Sequence, residues 1–143
     1  MTANVEIIVT SQAPDAKPIG LSYSIPDDWD PLITVPSYEI PELVFGGDTV
    51  IVPGVGEIIS PMLLSNKTAS TETVSVRVFR SDANTYFNLV NELPVPSNDV
   101  LALPFNGQFI YTGDVVEVKA STNDALDLTI SYTVGQAETD DVS

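Results

Sequence analysis

The side chains that most often perform acid–base or nucleophilic chemistry are missing from this sequence. The 143 residues include no histidine and no cysteine, which excludes the commonest general base, thiol nucleophiles and thiolate metal sites. Carboxylates, hydroxyls and three lysines remain. A Ser–Lys pair using Lys17, Lys67 or Lys119 is conceivable, but no spacing in the sequence supports one. We therefore predict a protein that is not an enzyme and that binds neither a cofactor nor a metal.

The densest charged cluster is Asp27-Asp28-Trp29-Asp30. One interpretation is a calcium or sugar site, with Trp29 as the stacking face, although the cluster lacks the Gly and distal Glu of a helix–loop–helix calcium motif. The interpretation we favour is a solvated turn in which Trp29 anchors a protein interface, because tryptophan is enriched at binding hot spots. Asn123, Asp124 and Asp127 could also gather around a cation, but for them too we favour ordinary turn chemistry.

The net charge restricts the partners. With 5 basic and 20 acidic residues, the chain carries a formal charge of −15 at pH 7. Nucleic acid and anionic membranes would repel such a surface, so we predict neither as a partner. Arg77 and Arg80 are rare cations at odd and even positions of one predicted strand, so they should point to opposite faces and form ion pairs.

The first part of the chain is rich in proline. Most of the 11 prolines lie in the first 61 residues, a spacing that prevents helices longer than about two turns. We interpret residues 1–45 as an extended arm with short edge strands at residues 5–9 and 19–25. Its aromatic residues cannot all stay in water without creating an exposed apolar patch. We therefore predict that four of them are interface anchors: Tyr23, Trp29, Tyr38 and Phe45.

Residues 46–135 have the pattern of an all-β domain. Apolar and polar residues alternate along residues 74–79 and 126–134, as in half-buried strands. Asn106-Gly107, between apolar segments 100–103 and 108–111, predicts a hairpin. Turn residues recur roughly every 8–12 residues, which is typical of a β-sandwich or barrel. We predict a two-sheet antiparallel β-sandwich of jelly-roll or Ig-like type, followed by an acidic tail at residues 136–143.

An ordered set of short segments suggests a family. These segments are Val52-Pro53-Gly54 before an apolar strand, a polar link at residues 66–70, a valine-rich strand at residues 74–80, Leu93-Pro94-Val95-Pro96 with Asp99 three residues later, Gly113-Asp114, and the closing strand at residues 125–131. In order and spacing, residues 48–135 resemble the small β-sandwich domains of tailed-bacteriophage virion proteins, which occur among head decoration, neck and tail components.

The resemblance implies a structural role in a virion and carries no catalytic residues over to this chain. We expect a capsid decoration (cement) protein that binds and stabilises the assembled shell. Its partners would be other virion proteins, namely the major capsid protein or tail and neck subunits, together with further copies of itself as a homo-oligomer. The alternative is a tail- or neck-associated protein, or a receptor- or carbohydrate-binding module.

Overall fold

The described part of the chain folds into strands and connecting turns. The computed structural model describes residues 17–45 and 48–136, and of residues 17, 39–50 and 136 it describes the backbone alone. The strands are β1 (Lys17–Ser24), β2 (Asp30–Thr34), β3 (Tyr38–Phe45), β4 (Asp48–Val52), β5 (Gly54–Ile58), β6 (Met62–Asn66), β7 (Glu72–Arg80), β8 (Thr85–Val95), β9 (Val100–Leu103), β10 (Phe109–Tyr111), β11 (Val115–Ala120) and β12 (Leu126–Gln136). No helix in these ranges is long and apolar enough to cross a membrane.

One sheet contains six strands arranged in four lines, where a line is either a single strand or two strands that follow each other end to end. β5 pairs with the second half of β12, and β6 pairs with its first half. Between β5 and β6 lies Pro61, which has no amide hydrogen to donate to the ladder, and Ser60 Oγ accepts a hydrogen bond from the Ser131 amide at 2.8 Å. β10 and β9 lie along β5 and β6 in the same way. We call these two interrupted lines β5/β6 and β9/β10.

The strand pairing is that of one long hairpin folded over itself. β1 pairs with β12, β2 with β11, β5/β6 with β9/β10, and β7 with β8, always antiparallel. Pairing of β12 with β5/β6 and of β11 with β7 then completes two sheets, ordered β1–β12–β5/β6–β9/β10 and β2–β11–β7–β8. Eight lines in this nested order form a jelly roll. The predicted two-sheet antiparallel β-sandwich is confirmed.

The core lies between the two sheets and follows the alternation of the sequence. Leu126, Leu128 and Ile130 of β12 face Val74 and Val76 of β7 across a single cluster of buried apolar side chains. All five are at most 1% exposed. Full burial of such a side chain stabilises the fold by roughly 1.5–3 kcal/mol, so the two long alternating strands contribute much of the stability.

Residues 17–35 are part of the sandwich, and the prediction that they belong to an extended arm is wrong. β1 pairs along β12, β2 pairs along β11, and Ile25 and Ile33 are buried in the core. The edge strand predicted at residues 19–25 is confirmed as β1, but its pairing with β12 makes it part of the sandwich and not of a separate arm. An edge strand tolerates proline, since one side of it has no ladder to which an amide must donate. The sandwich therefore begins well before residue 46.

The predicted hairpin at Asn106-Gly107 is also wrong. These residues do form a turn, and Gly107 has φ of +95°, which suits a residue without a Cβ. However, β9 and β10 do not pair with each other, because they lie on the same line beside β6 and β5. The Gly107 amide donates to the Ile58 carbonyl at 2.7 Å, which ties the turn to the end of β5.

In the sequence, a two-stranded ribbon lies between β2 and β5, and it forms a small sheet of its own. β3 and β4 pair with each other, with a register shift between Ile40 and Val44. The connection at 46–47, the predicted strand at residues 5–9 and most of the predicted tail (residues 137–143) lie outside the described residues.

Candidate functional site

Of the four aromatic residues predicted as interface anchors, Tyr23, Trp29 and Tyr38 have described side chains, and each lies in different surroundings. Tyr23 lies in β1 opposite Leu128 and packs against the core. Burial, with a smaller contribution from the Asp30 carboxylate, raises the pKa of Tyr23 to about 12. Its hydroxyl has no hydrogen-bond partner among the described atoms. Because this ring faces inward, Tyr23 does not present an anchor on the surface.

Tyr38 and Phe45 lie at the two ends of β3. The Tyr38 ring is half-buried and lies close to Gly54, where a Cβ would meet it at 2.8 Å. Burial raises the pKa of Tyr38 above its usual value. The side chain of Phe45 lies outside the described atoms, so its anchor role stays a prediction.

Trp29 belongs to a stack of aromatic rings and cations on the outer face of the sheet β2–β11–β7–β8. The Arg77 guanidinium lies 4.0 Å from the centroid of the Trp29 ring and 4.0 Å from that of Tyr86. Lys119 Nζ lies 5.1 Å from the Trp29 ring, and the Phe79 and Tyr86 centroids are 5.1 Å apart. We call these five residues the aromatic strip.

The strand alternation explains why the aromatic strip lies on one face. Val74, Val76 and Val78 of β7 point into the core, so Arg77 and Phe79 point outward. Tyr86 is opposite Phe79 in the register of β7 and β8. Trp29 directly precedes β2, and its amide donates to Asp28 Oδ1 at 2.8 Å. Three strands and one turn thus place these side chains side by side.

Contacts on several sides hold the strip in place, and one of its two cations, Arg77, is paired with a carboxylate. Arg77 Nε donates to Glu117 Oε1 at 2.6 Å, and both side chains are mostly buried. A guanidinium held between two rings and a carboxylate has little rotational freedom left. Each cation–π contact is worth about 0.5–1 kcal/mol at an exposed site. Tyr86 stays 49% exposed, so the strip is both fixed in position and open to a partner.

Arg80 points to the opposite face of β7, as its position relative to Arg77 predicts. Its Nη1 donates to Asp114 Oδ2 at 3.0 Å and to the Phe109 carbonyl at 2.8 Å. Asp114 also accepts hydrogen bonds from the amides of Ser81 at 2.9 Å and Tyr111 at 3.0 Å. Both arginines form ion pairs, which confirms that prediction. Arg80 and Asp114 thereby fasten the edge strand β10 to the second sheet.

An open cleft of about 880 Å³ lies beside this ion pair, between the β7–β8 turn and β10. Phe87, Phe109 and Tyr111 line it, and each is roughly half exposed. Asp82 and Gln108 add polar groups. The cleft can hold a ligand with an apolar face and several hydroxyl groups, because aromatic rings and hydrogen-bonding side chains meet there.

The acidic clusters do not form a metal centre within residues 17–45 and 48–136. No group of three carboxylates there is arranged to hold a metal ion. In the second cluster, Asp127 accepts hydrogen bonds from Lys67 Nζ at 2.9 Å and Ser24 Oγ at 2.6 Å. These contacts, that from Lys67 above all, lower the pKa of the Asp127 carboxyl. Asp127 is therefore already compensated within the fold.

Sequence reasoning missed Tyr86 and the cleft aromatics. Tyr86 was within reach, because it follows the short turn after a strand whose outward positions include Arg77 and Phe79. Phe87 and Phe109 come together from edges of different sheets, and no local pattern relates residues so far apart in sequence.

Comparison with known proteins gives a slight structural likeness. No family model matches the chain, and no curated protein matches it. Two solved crystal structures match, each of a pentameric capsid protein isolated from metagenomic phage sequences, with TM-scores of 0.38 and 0.36 and 14% identity. Each match covers 82% of this chain, which spans 59% and 61% of the respective capsid chains. At this identity and these TM-scores, the likeness carries no argument about function.

Proposed function

We propose that the chain is a structural protein of a bacteriophage virion and acts as a capsid decoration protein. The observation that carries the proposal is the aromatic strip. Trp, Tyr and Arg are the residue types that dominate protein-binding hot spots, and in this chain Trp29, Arg77 and Tyr86 are stacked within one surface. A strip already ordered before binding loses little side-chain entropy when a partner covers it.

The fold suits this role by analogy. Eight-stranded jelly rolls recur in viral capsid and lectin domains, and the sequence resembles virion β-sandwich domains. Such an analogy raises the expectation of a class without establishing a function. Within it, the chain binds and does not turn over a substrate, and its partners are the major capsid protein and further copies of itself.

The mechanism is adhesion to an assembled state. If the aromatic strip binds a surface that exists only where shell subunits meet, binding shifts the equilibrium toward the closed shell. The chain then acts as a cement, and its location is the virion. Its charge of −15 favours a shell surface that presents basic residues around an apolar centre.

Substitution of Trp29 tests the proposal. Particles of the phage that encodes this chain, prepared without it, are titrated with purified protein. We expect Trp29→Ala to weaken attachment by about 2–4 kcal/mol, the usual hot-spot range. The matched control is Tyr111→Ala, which removes an exposed ring from the other sheet and should leave attachment unchanged.

Two results would contradict this proposal. One is a wild-type chain that does not bind the particles. The other is a folded Trp29→Ala protein that attaches as tightly as the wild type, which would remove the aromatic strip as the docking surface.

A second candidate, a carbohydrate-binding module, is favoured by the cleft. Sugars bind through aromatic rings and hydrogen-bonding side chains, and Phe109, Tyr111 and Asp82 offer both. Titration of the protein with a panel of soluble oligosaccharides, monitored by nuclear magnetic resonance, would test this second candidate. The same two variants separate the candidates, because Tyr111→Ala should abolish sugar binding and Trp29→Ala should not.

A further inference from the structure

The outer face of the sheet β1–β12–β5/β6–β9/β10 is unusually poor in charge for so acidic a chain. Its outward positions, which alternate with the core residues in the strand registers, are Pro18, Gly20, Ser22, Ser24, Val55, Glu57, Leu63, Ser65, Val100, Ala102, Phe109, Tyr111, Asp127, Thr129, Ser131, Thr133 and Gly135. We call this set the hydroxyl face, because short serine and threonine side chains occupy its middle. Val55 and Gly135, at the end of the face beside Tyr111, are buried, and the other residues of the face are not.

The carboxylates of the described residues lie elsewhere. They lie in turns and connections, as Asp82, Asp99 and Asp124 do, or in strands of the second sheet and the ribbon, as Glu72 and Glu117 do. On the hydroxyl face the carboxylates are Glu57 and Asp127, and Lys67 Nζ compensates Asp127 at 2.9 Å. A face of this extent with a single uncompensated charge contrasts with a chain of −15.

The hydroxyl face also carries exposed apolar surface. Leu63 is 43% exposed and Val100 is 60% exposed, and they lie on neighbouring lines of the sheet. A Cβ added at Gly20 would meet no atom within 4 Å, so the surface above β1 is open. Short side chains on a sheet give a shallow surface onto which a second sheet can be laid.

We propose that the hydroxyl face binds the same face of a second copy of this chain. The distribution of charge indicates which partner binds this face. Two copies of −15 repel each other over most of their surfaces, and they can approach where both are nearly uncharged. A basic partner would gain nothing from this face and would bind the acidic turns instead. Pairing of one patch with itself is the arrangement of a two-fold dimer.

The size of the face sets the expected strength. Four lines about 4.8 Å apart and strands of about eight residues give roughly 19 Å by 26 Å, or about 500 Å² per copy in projection. A pair would bury about 1,000 Å² in total, which is at the lower limit for a specific interface. We therefore expect a reversible dimer that forms at micromolar to millimolar concentrations.

Sedimentation velocity on the full chain tests the proposal, first as a function of concentration and then of sodium chloride. Because salt screens the repulsion between two acidic copies, dimerisation should strengthen as salt rises. Association through ion pairs would weaken instead.

A charge placed on the face gives the sharper test. Gly20→Glu and Thr129→Glu each add one carboxylate where the two copies meet, and each should weaken dimerisation at least tenfold. The control Ala83→Glu adds the same charge in the exposed β7–β8 turn and should change dimerisation less than twofold. Circular dichroism verifies that all three variants are folded.

Three results would overturn the inference. They are a chain that stays monomeric at millimolar concentration in high salt, a dimer that dissociates as salt rises, and equal weakening by Gly20→Glu and Ala83→Glu. The measurement contains no particles. Its failure would therefore leave the proposed docking through Trp29 untouched.

Discussion

Asp114 shows how one buried carboxylate holds two sheets together. It is 3% exposed and accepts hydrogen bonds from Arg80, from the Ser81 amide and from the Tyr111 amide. An asparagine would keep the shape but would leave the Arg80 charge without its partner. We expect Asp114→Asn to lower the free energy of unfolding by about 2–3 kcal/mol, as measured by urea denaturation at neutral pH.

The same contacts make stability depend on pH. Burial alone would raise the pKa of Asp114, but the hydrogen bonds from the two amides and Arg80 outweigh it and hold the pKa below its ordinary value. The folded state therefore binds this proton less readily than the unfolded chain. Its contribution is fully present above the unfolded pKa of about 3.9 and is lost as pH falls through the folded pKa.

We accordingly expect the wild type to lose stability on acidification below about pH 4, and Asp114→Asn to lose less. Urea denaturation over a series of acidic buffers measures how steeply the free energy of unfolding of each protein falls with pH. Equal slopes for the two proteins would show that Asp114 titrates alike in the folded and unfolded states, and would contradict the lowered pKa.

Two glycines offer a matched pair of substitutions. A Cβ at Gly54 would contact the Pro36 carbonyl oxygen and would come within 2.8 Å of both Val35 and Tyr38, whereas a Cβ at Gly20 meets nothing. We expect Gly54→Ala to destabilise the fold by about 1–3 kcal/mol through overpacking. Gly20→Ala should be neutral or stabilising by up to about 1 kcal/mol, because alanine suits a strand better than glycine. Thermal unfolding of both variants would check this, and similar losses in the two would be evidence against it.

At the scale of the elements, β1 and β2 are indispensable. They are the first two lines of the nested hairpin, and Ile25, directly after β1, and Ile33 of β2 are buried in the core. A chain that lacks residues 1–35 would expose the edges of β12 and β11 and open the core to water. We expect this truncated chain to show no cooperative unfolding transition by circular dichroism or calorimetry. A soluble truncated chain that unfolds cooperatively would restore the sequence-based view of a separable arm.

The strands could be predicted from sequence where their signal is local. The alternation from Leu126 to Val134 and that around Val76 mark β12 and β7, because each has one face in the core and one in solvent. The hairpin predicted from Asn106-Gly107 was wrong because a turn signal specifies a local backbone shape and not the strand with which the next strand pairs. For residues 17–35, the prolines indicated edge strands correctly but not their partners, because pairing with β12 and β11 is a property of the whole sheet.

The candidate site was predictable only in part. Trp29 could be chosen by its rarity and Arg77 by its outward position, but their contact depends on the pairing of β2 and β7 with β11. The inward direction of Tyr23 could have been inferred, since it lies in phase with Ile19 and Leu21. The cleft could not have been predicted from the sequence, because its walls come from the edges of two sheets.

At the scale of the whole molecule, the two faces of the sandwich differ in chemistry. The outer face of β2–β11–β7–β8 carries the aromatic strip, and the outer face of the other sheet carries short hydroxyl side chains with little charge. Under the two proposals, the first face binds a shell and the second binds another copy. A flat two-faced block of this kind suits a surface lattice, in which every subunit needs contacts in more than one direction.

The copy number of the chain in purified particles tests the central claim most directly. Under the proposal that a phage encodes the chain, quantitative mass spectrometry of that phage's particles, referenced to the major capsid protein, would supply the number. A capsid decoration protein should be present in hundreds of copies, in a fixed ratio to the shell subunit. A dozen copies or fewer would contradict decoration and point to the neck or tail, and absence from the particle would contradict the virion role altogether.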